Sequence, residues 1–313
     1  MTLLDVGAAV AISLNYFTIL FLTGLGGLFS ERSGIVNIGL EGLLIVGTVI
    51  GAWGSFRFGP VGGLAAGAVA GVGLSLVHAV ATITFEVDQI VSGVVVNIVA
   101  VGLARFCSQV FFGQATQSPP GVPALPQIDV PLLSALPAGL GRAFQDLSPV
   151  VLVAFVLVWP AVLVLGRTRF GLRLRACGEN PEAARALGVR VDAYRFAGVA
   201  ASGLLAGLAG AFLAIEVNGV FTEGQTQGLG FIALAALILA NWQPVRLMVA
   251  SLLFGLAQAV PLRLADAPVL SLLPEQFIRM IPYVVTIVAI AGFVGRVQPP
   301  EAAGKAYSGR ARA

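Results

Sequence analysis

Side chains able to do chemistry are sparse in this chain, and the notable ones interrupt long apolar sequence. In SERSGIVNIGLEG, residues 30–42, Asn37 and Glu41 stand four apart and so share one helical face. In DQIVSGVVVNIVA, residues 88–100, Gln89 and Asn97 stand eight apart, two turns along one face. A second polar interruption, EVNGVFTEGQTQGLG at 216–230, carries Glu216, Asn218, Glu223, Gln225 and Gln227. Amides and carboxylates of this kind bind polar solutes, and they also tie helices together. Both roles stay open for Asn37, Glu41, Gln89 and Asn97, and the 216–227 stretch has an exposed loop as its plain alternative.

Bond-breaking chemistry finds no footing. The sequence has no activated nucleophile, no paired catalytic carboxylates and no GxxxxGK[ST] phosphate loop, so no catalytic residue is assigned and any ATP chemistry must come from another chain. His78 is alone, without a Glu or His at ligand spacing, which predicts a neutral interhelical hydrogen bond rather than a metal site. Cys107 and Cys177 lack zinc, iron–sulfur or redox spacing. No resident cofactor or metal is expected.

The elements that must position these groups are membrane helices. Of the 313 residues 58% are hydrophobic and 11% charged, against about 25% charged in a soluble domain, and the mean hydropathy is +0.94. A hydrocarbon core of about 30 Å takes roughly 20 apolar residues in helical form. Uncharged windows of that kind are 6–30, 58–85, 147–166 and 196–215, with further apolar stretches at 89–104, 224–245, 247–262 and 280–295. They predict an all-α polytopic protein of eight or nine spanning or partly spanning helices, in one transmembrane domain over 1–313. The segment 38–52 is short for a full crossing, which leaves the side of the N-terminus open. Trp53 and Trp242 fall at segment ends, where amphipathic rings prefer the interface. Most of the 19 phenylalanines are read as core or lipid contacts. Glycines at helical spacing, Gly63, Gly67 and Gly71 and then Gly203, Gly207 and Gly210, predict closely packed helices.

Charge orients the chain. Residues 167–195 hold seven of the 18 basic side chains between two uncharged apolar stretches, so 167–191 reads as a cytoplasmic loop by the positive-inside bias. Within it, Gly178-Glu179-Asn180-Pro181 is a turn leading into a helix, with Asn180 as N-cap, Pro181 at the first helical position and Glu182 in the first turn. A loop with a preformed helix is a docking surface. The stretch 113–147, with six prolines and few charges, reads as an extracytoplasmic loop, and 295–313 as a cytoplasmic tail with four basic residues against one acid, Glu301. The net charge of +3 orients the protein in the membrane and implies no nucleic acid partner.

The two polar interruptions have a mechanical meaning. Irregular backbone within hydrocarbon survives only where protein or a water-filled path covers it, and transporters use such broken helices to build substrate paths. Glycine-interrupted segments in both halves of the chain are therefore the best pointer to a translocation route.

At LTGLGGLFSERSGIVNIGLEG (22–42), DQIVSGVVVNIVAVGLARF (88–106), FGLRLRACGENPEAARALGV (170–189) and GLGFIALAALILANWQPVRLMVASLLFG (228–255), the chain resembles permease subunits of ABC importers. The likeness is to the branched-chain amino acid, sugar and nucleoside permease family, nucleoside-type branch. Ala240 and Arg105 depart from residues common in that family, glycine and threonine. The resemblance implies a type II-like importer permease in a bacterial cytoplasmic membrane, with its C-terminus inside. It also implies cytoplasmic ATP-binding subunits that hold ATP and Mg, a second and different permease subunit, an extracytoplasmic substrate-binding protein or lipoprotein, and surrounding membrane lipid. Glu179, Asn180, Pro181, Glu182 and Arg185 would then belong to the coupling helix, taken over 179–189. Nucleosides are the implied solute, ahead of pentoses or other simple sugars and of branched-chain amino acids. An ion-coupled secondary carrier, the alternative of a different class, would have no need of the basic helical loop.

Overall fold

The computed structural model describes residues 3–134, 140–264, 277, 280–293, 298–305 and 307. Part of the proline-rich loop, the start of the expected last span and the tail residues Arg296, Arg310 and Arg312 lie outside the described residues.

Helices carry almost all of the ordered backbone. They are α1 (Leu3–Arg32), α2 (Leu40–Ala79), α3 (Gln89–Phe112), α4 (Pro131–Ser134), α5 (Pro149–Arg167), α6 (Arg169–Glu179), α7 (Pro181–Ala186), α8 (Val191–Phe212), α9 (Leu229–Leu239), α10 (Pro244–Leu264) and α11 (Ile281–Phe293). Turns of π-helix extend α2 to Thr84 and α8 to Val217. Five segments are long and apolar enough to cross a membrane: Gly7–Arg32, Leu40–Thr84, Gln89–Phe112, Pro149–Arg167 and Val191–Val217. The protein is thus all-α and polytopic. Among the described residues those five are fewer than the eight or nine spans expected, because α2 joins two expected spans across one bend and the apolar stretches Leu229–Leu239 and Pro244–Ala259 are shorter.

That bend is at Gly59, whose φ of 77° no ordinary side chain adopts easily, followed by Pro60. The two arms fold back on each other, since a Cβ on Gly63 would fall 2.7 Å from the Gly51 carbonyl oxygen. The first arm, from Leu40 to the bend, is longer than the 38–52 stretch expected and rises about 28 Å at 1.5 Å per residue, close to a hydrocarbon core.

The glycine stripes meet as expected. A Cβ on Gly71 would lie 2.1 Å from the Gly203 carbonyl oxygen, and one on Gly207 would lie 2.3 Å from that of Gly67. Only glycine permits backbones so close, and in lipid such contact is what holds helices together. Around this dense centre α1 buries Phe17, Leu20, Phe21 and Leu22, with Phe17 stacked on Phe155 at 4.4 Å between centroids. At the perimeter, α3 exposes Ile90, Val94, Ile98 and Phe106, and α5 exposes Val156 and Trp159, an apolar surface suited to lipid.

The bundle has two unlike ends. At one end α6 and α7 pack beside the end of α1, the α9–α10 turn and the segment 298–307. At the other, residues 113–130 fold over the top of α8, with Ser55 Oγ donating to the Pro123 carbonyl.

Candidate functional site: two broken segments and a docking helix

The first break runs from 33 to 39, between α1 and α2. Its backbone groups are satisfied by side chains of α3. Gln89 Oε1 accepts from Val36 N at 2.7 Å and Gln89 Nε2 donates to the Gly34 carbonyl at 3.4 Å. Asn97 Oδ1 accepts from Gly42 N at 2.7 Å, and Asn97 Nδ2 donates to the Ile38 carbonyl at 3.1 Å. His78 bridges Ser92 Oγ at 2.9 Å and the Val36 carbonyl oxygen at 3.2 Å, the interhelical role its isolation predicts. Irregular backbone can persist here because these polar groups have found protein partners. Asn37 differs. Its Nδ2 donates to Ser202 Oγ at 2.7 Å, while its buried Oδ1 has no hydrogen-bond partner among the described residues.

The second break lies between α8 and α9, and one residue of the first region holds it. The Glu41 carboxylate accepts from Thr226 Oγ1 at 2.6 Å, Gly228 N at 3.0 Å and Gly230 N at 2.7 Å. Gly228 and Gly230 flank the start of α9, so the negative charge sits where the free amides and the positive end of the helix dipole lie. This is the partner a buried carboxylate demands. Gly230 is obligatory: a Cβ there would stand 2.5 Å from Glu41 N.

Above that contact the second break meets the proline-rich segment. Ser118 N donates to the Phe221 carbonyl at 2.9 Å, Glu223 N to the Thr116 carbonyl at 2.7 Å and Leu125 N to Glu216 Oε1 at 2.8 Å. Asn218 Nδ2 donates to Gln225 Oε1 at 2.7 Å, and Arg105, one of the two departures from the family pattern, pairs with Glu223 at 2.6 Å. A cavity of about 80 Å³ opens among Thr48, Val101, Ala104, Phe221, Glu223 and Gln225. It holds water-sized molecules and is too small for a sugar or nucleoside in this conformation.

The α7 end carries the residues expected at a docking helix. Asn180 Oδ1 accepts from Ala183 N at 2.9 Å, Pro181 follows at the first position, and Glu182 lies in the first turn. Gly188, with φ of 80°, ends the segment. Ala184 turns inward onto Cys177 and Val191, leaving Glu182, Arg185 and Leu187 exposed. The basic loop contains a second helix that its charge pattern concealed, α6, capped by Thr168. Glu179 closes it and faces Arg32 at 3.6 Å, so the basic loop touches the end of α1 where the first break begins. Burial pushes the Cys177 thiol up to about 11.

Trp242 corrects an expectation. It is buried rather than interfacial, because its indole N–H donates to Glu31 at 2.5 Å and its carbonyl accepts from Arg32. Sequence reading also missed Thr226, Gly228 and Gly230 as partners of Glu41. The Gly-Leu-Gly at the start of α9 was the available signal.

The structure thus brings Glu41 to the second break and Gln89 and Asn97 to the first. It places Asn37 within the first break, bonded to Ser202 of α8, and Asn218 at the far end of α8. At the α7 end Glu179, Asn180, Pro181 and Glu182 line one groove and Arg185 lines another. No group of three or more metal-ligating side chains occurs among the described residues.

Comparison with known proteins agrees with this architecture along nearly its whole length. The chain is 42% identical to the nucleoside ABC transporter permease protein NupC of Lactococcus lactis, covering 95% of this chain and 96% of that one. It is 39% identical to the guanosine ABC transporter permease protein NupQ of Bacillus subtilis, covering 95% of each. It is 33% identical to TsgC13 of Haloferax volcanii, an ABC permease whose glucose assignment is provisional, covering 90% of each. Residues 9–290 match the family described as the permease component of branched-chain amino acid transport systems. The chain, a membrane bundle with two breaks joined through Glu41 and a capped helix at one end, belongs to that family and is a permease subunit of an ABC importer, which works with ATP-binding subunits, a second permease and a substrate-binding protein.

Proposed function

We propose that this permease translocates nucleosides delivered by an extracytoplasmic binding protein. The observation that carries the reading is the similarity to NupC and NupQ over 95% of the chain. A sugar is the second reading, favoured by the weaker match to TsgC13. Uptake of labelled uridine, guanosine and ribose by the reconstituted complex tests it. Import of a nucleoside is the expected result; sugar entry without nucleoside entry or competition would transfer the assignment.

The α7 end is taken as cytoplasmic, from the positive-inside bias of 167–191, which puts 113–147 outside and the tail inside. Counting each arm of α2 separately, and the second break together with α9 as one crossing, gives nine crossings. An odd number puts the termini on opposite sides, so with the basic loop inside the N-terminus lies outside and the C-terminus inside, the arrangement of a type II-like permease.

The mechanism is population shifting between two packings of the bundle. ATP and Mg bound by the partner subunits supply the energy. Glu179, Asn180, Pro181, Glu182 and Arg185 receive the displacement, the Glu179–Arg32 contact passes it to the first break, and Glu41 passes it to the second. The solute route follows the two breaks, with Asn37, Glu41, Gln89, Asn97 and Asn218 as its candidate polar groups. Weak contacts suffice inside the membrane, since the binding protein raises the local solute concentration at the mouth. The second permease is a different chain, as the nucleoside-type resemblance implies. Native mass measurement of the active complex tests that pairing: an active assembly with two copies of this chain and no second permease would reject it.

A further inference from the structure

The segment 298–307 does more than trail from the last helix. Its backbone reaches three separate elements: Ala302 N donates to the Gly178 carbonyl at 2.8 Å, Gln298 N to Asn241 Oδ1 at 3.0 Å, and Gly304 N to Gln89 Oε1 at 3.1 Å. The last acceptor is the same amide oxygen that receives Val36 N of the first break. Gln89 Nε2 in turn donates to the Lys305 carbonyl at 3.3 Å. One side chain therefore clamps the tail and the break together.

Tyr307 adds a fourth anchor. Arg195 of α8 is 2% exposed, and its Nε and Nη2 have no hydrogen-bond partner among the described residues. Its Cζ lies 5.0 Å from the Tyr307 ring centroid, so the ring face supplies cation–π attraction to a guanidinium that burial has stripped of water. The same guanidinium stands against the first break, since a Cβ on Gly34 would lie 3.0 Å from Nη2.

Two grooves flank Tyr307, one along the start of α7 and one between the end of α7 and the start of α8. One, of about 270 Å³, is bounded by Asn180, Pro181, Glu182, Lys305 and Tyr307. The other, of about 500 Å³, is bounded by Arg185, Gly188, Arg190, Asp192 and Tyr307. An aromatic ridge between two grooves with mixed acidic and basic rims is the anatomy of a protein-binding surface. By contrast, α7 is six residues long and turns only Ala184 inward as a buried side chain.

We propose that 298–305 together with Tyr307 is a second element of the docking surface for the ATP-binding subunit, and that it carries that subunit's displacement to the first break through Gln89 and Arg195. The proposal rests on the reading of α7 as the docking helix. The partner grips a composite of α7 and the tail, and the tail supplies a direct hydrogen-bonded route from Gly178 to Val36.

Replacing Tyr307, and in a separate sample Arg185, by p-benzoylphenylalanine in the full complex tests the surface. Photo-adducts with the ATP-binding subunit from both positions are the expected result. An adduct from 185 alone would overturn the tail's role and leave α7 docking intact; adducts from neither would overturn both. Tyr307→Ala and Tyr307→Phe test the mechanical role. Alanine should lower solute-stimulated ATP hydrolysis about fivefold while the complex stays assembled, and phenylalanine, which keeps the ring face, should restore stimulation. Equal stimulation in both variants, or equal loss in both, would overturn it.

Discussion

The two breaks solve the same problem by different means. At 33–39 the irregular backbone is stitched to α3 by neutral amides, Gln89 and Asn97, with His78 and Ser30 adding further bonds. At 218–228 the lower part hangs on one charged side chain, Glu41, while the upper part is paired with the proline-rich segment. A neutral, distributed seam loses one stitch at a time. A single carboxylate serving three donors fails as a unit, because a buried donor left without an acceptor costs about 1–3 kcal/mol and a charged acceptor is worth more than a neutral one. The difference assigns a fixed joint to the second break and a more divisible contact to the first.

The sharpest way to break this comparison is at Glu41. Glu41→Leu strands Thr226 Oγ1, Gly228 N and Gly230 N together, and Gly230→Ala drives a methyl into the Glu41 backbone. Both should lose folded protein in fluorescence-detected size exclusion and abolish uptake, with a destabilisation of about 3 kcal/mol or more. Glu41→Leu with a normal melting profile would show that the carboxylate is not the joint.

Asn97→Leu comes next, since it strands only the Gly42 amide and the Ile38 carbonyl. It should cost about 2 kcal/mol in thermal stability and reduce uptake in proportion. Asn37→Leu separates function from packing. Asn37 makes one hydrogen bond, to Ser202, and already has an unpartnered oxygen, so the change should cost under about 1.5 kcal/mol. Uptake falling tenfold or more at nearly unchanged stability would mark Asn37 as a pathway residue; parallel losses would make it packing alone.

Much of this was legible in the residues. Helix periods, the Asn180–Pro181–Glu182 start, the isolated His78 and the Gly67/Gly71 and Gly203/Gly207 stripes follow from local rules, and local rules read well from one chain. The partners of Glu41 did not, because Thr226, Gly228 and Gly230 are some 185 residues away in sequence and only the fold brings them together. The bend at Gly59 falls where the sequence already separates the 38–52 stretch from the uncharged window 58–85, next to Arg57. Trp242 misled because an aromatic at a segment end looks interfacial until a buried carboxylate such as Glu31 claims its N–H. The tail was read only for its charge, although its backbone does the binding.

The smallest expected effect compares the docking end with the breaks. Asn180→Ala removes one exposed N-cap bond from α7, worth about 1 kcal/mol to that helix and little to the bundle. Melting should therefore stay near wild type while solute-stimulated ATP hydrolysis falls a few-fold, the reverse of the pattern at Glu41. Cys177 reports on the same region without mutation. Its thiol is buried under Ala184 and raised to about 11 against a usual value near 8.5, so little thiolate forms at neutral pH. Alkylation by iodoacetamide should be slow at pH 7.5 and accelerate as pH climbs toward 11, the sign required of an acid whose neutral form is favoured by burial. If Asn180→Ala loosens α7, Ala184 lifts from Cys177 and alkylation at pH 7.5 should rise several-fold. Unchanged alkylation together with lost stimulation would instead place the defect in the partner contact, with α7 still seated on the bundle.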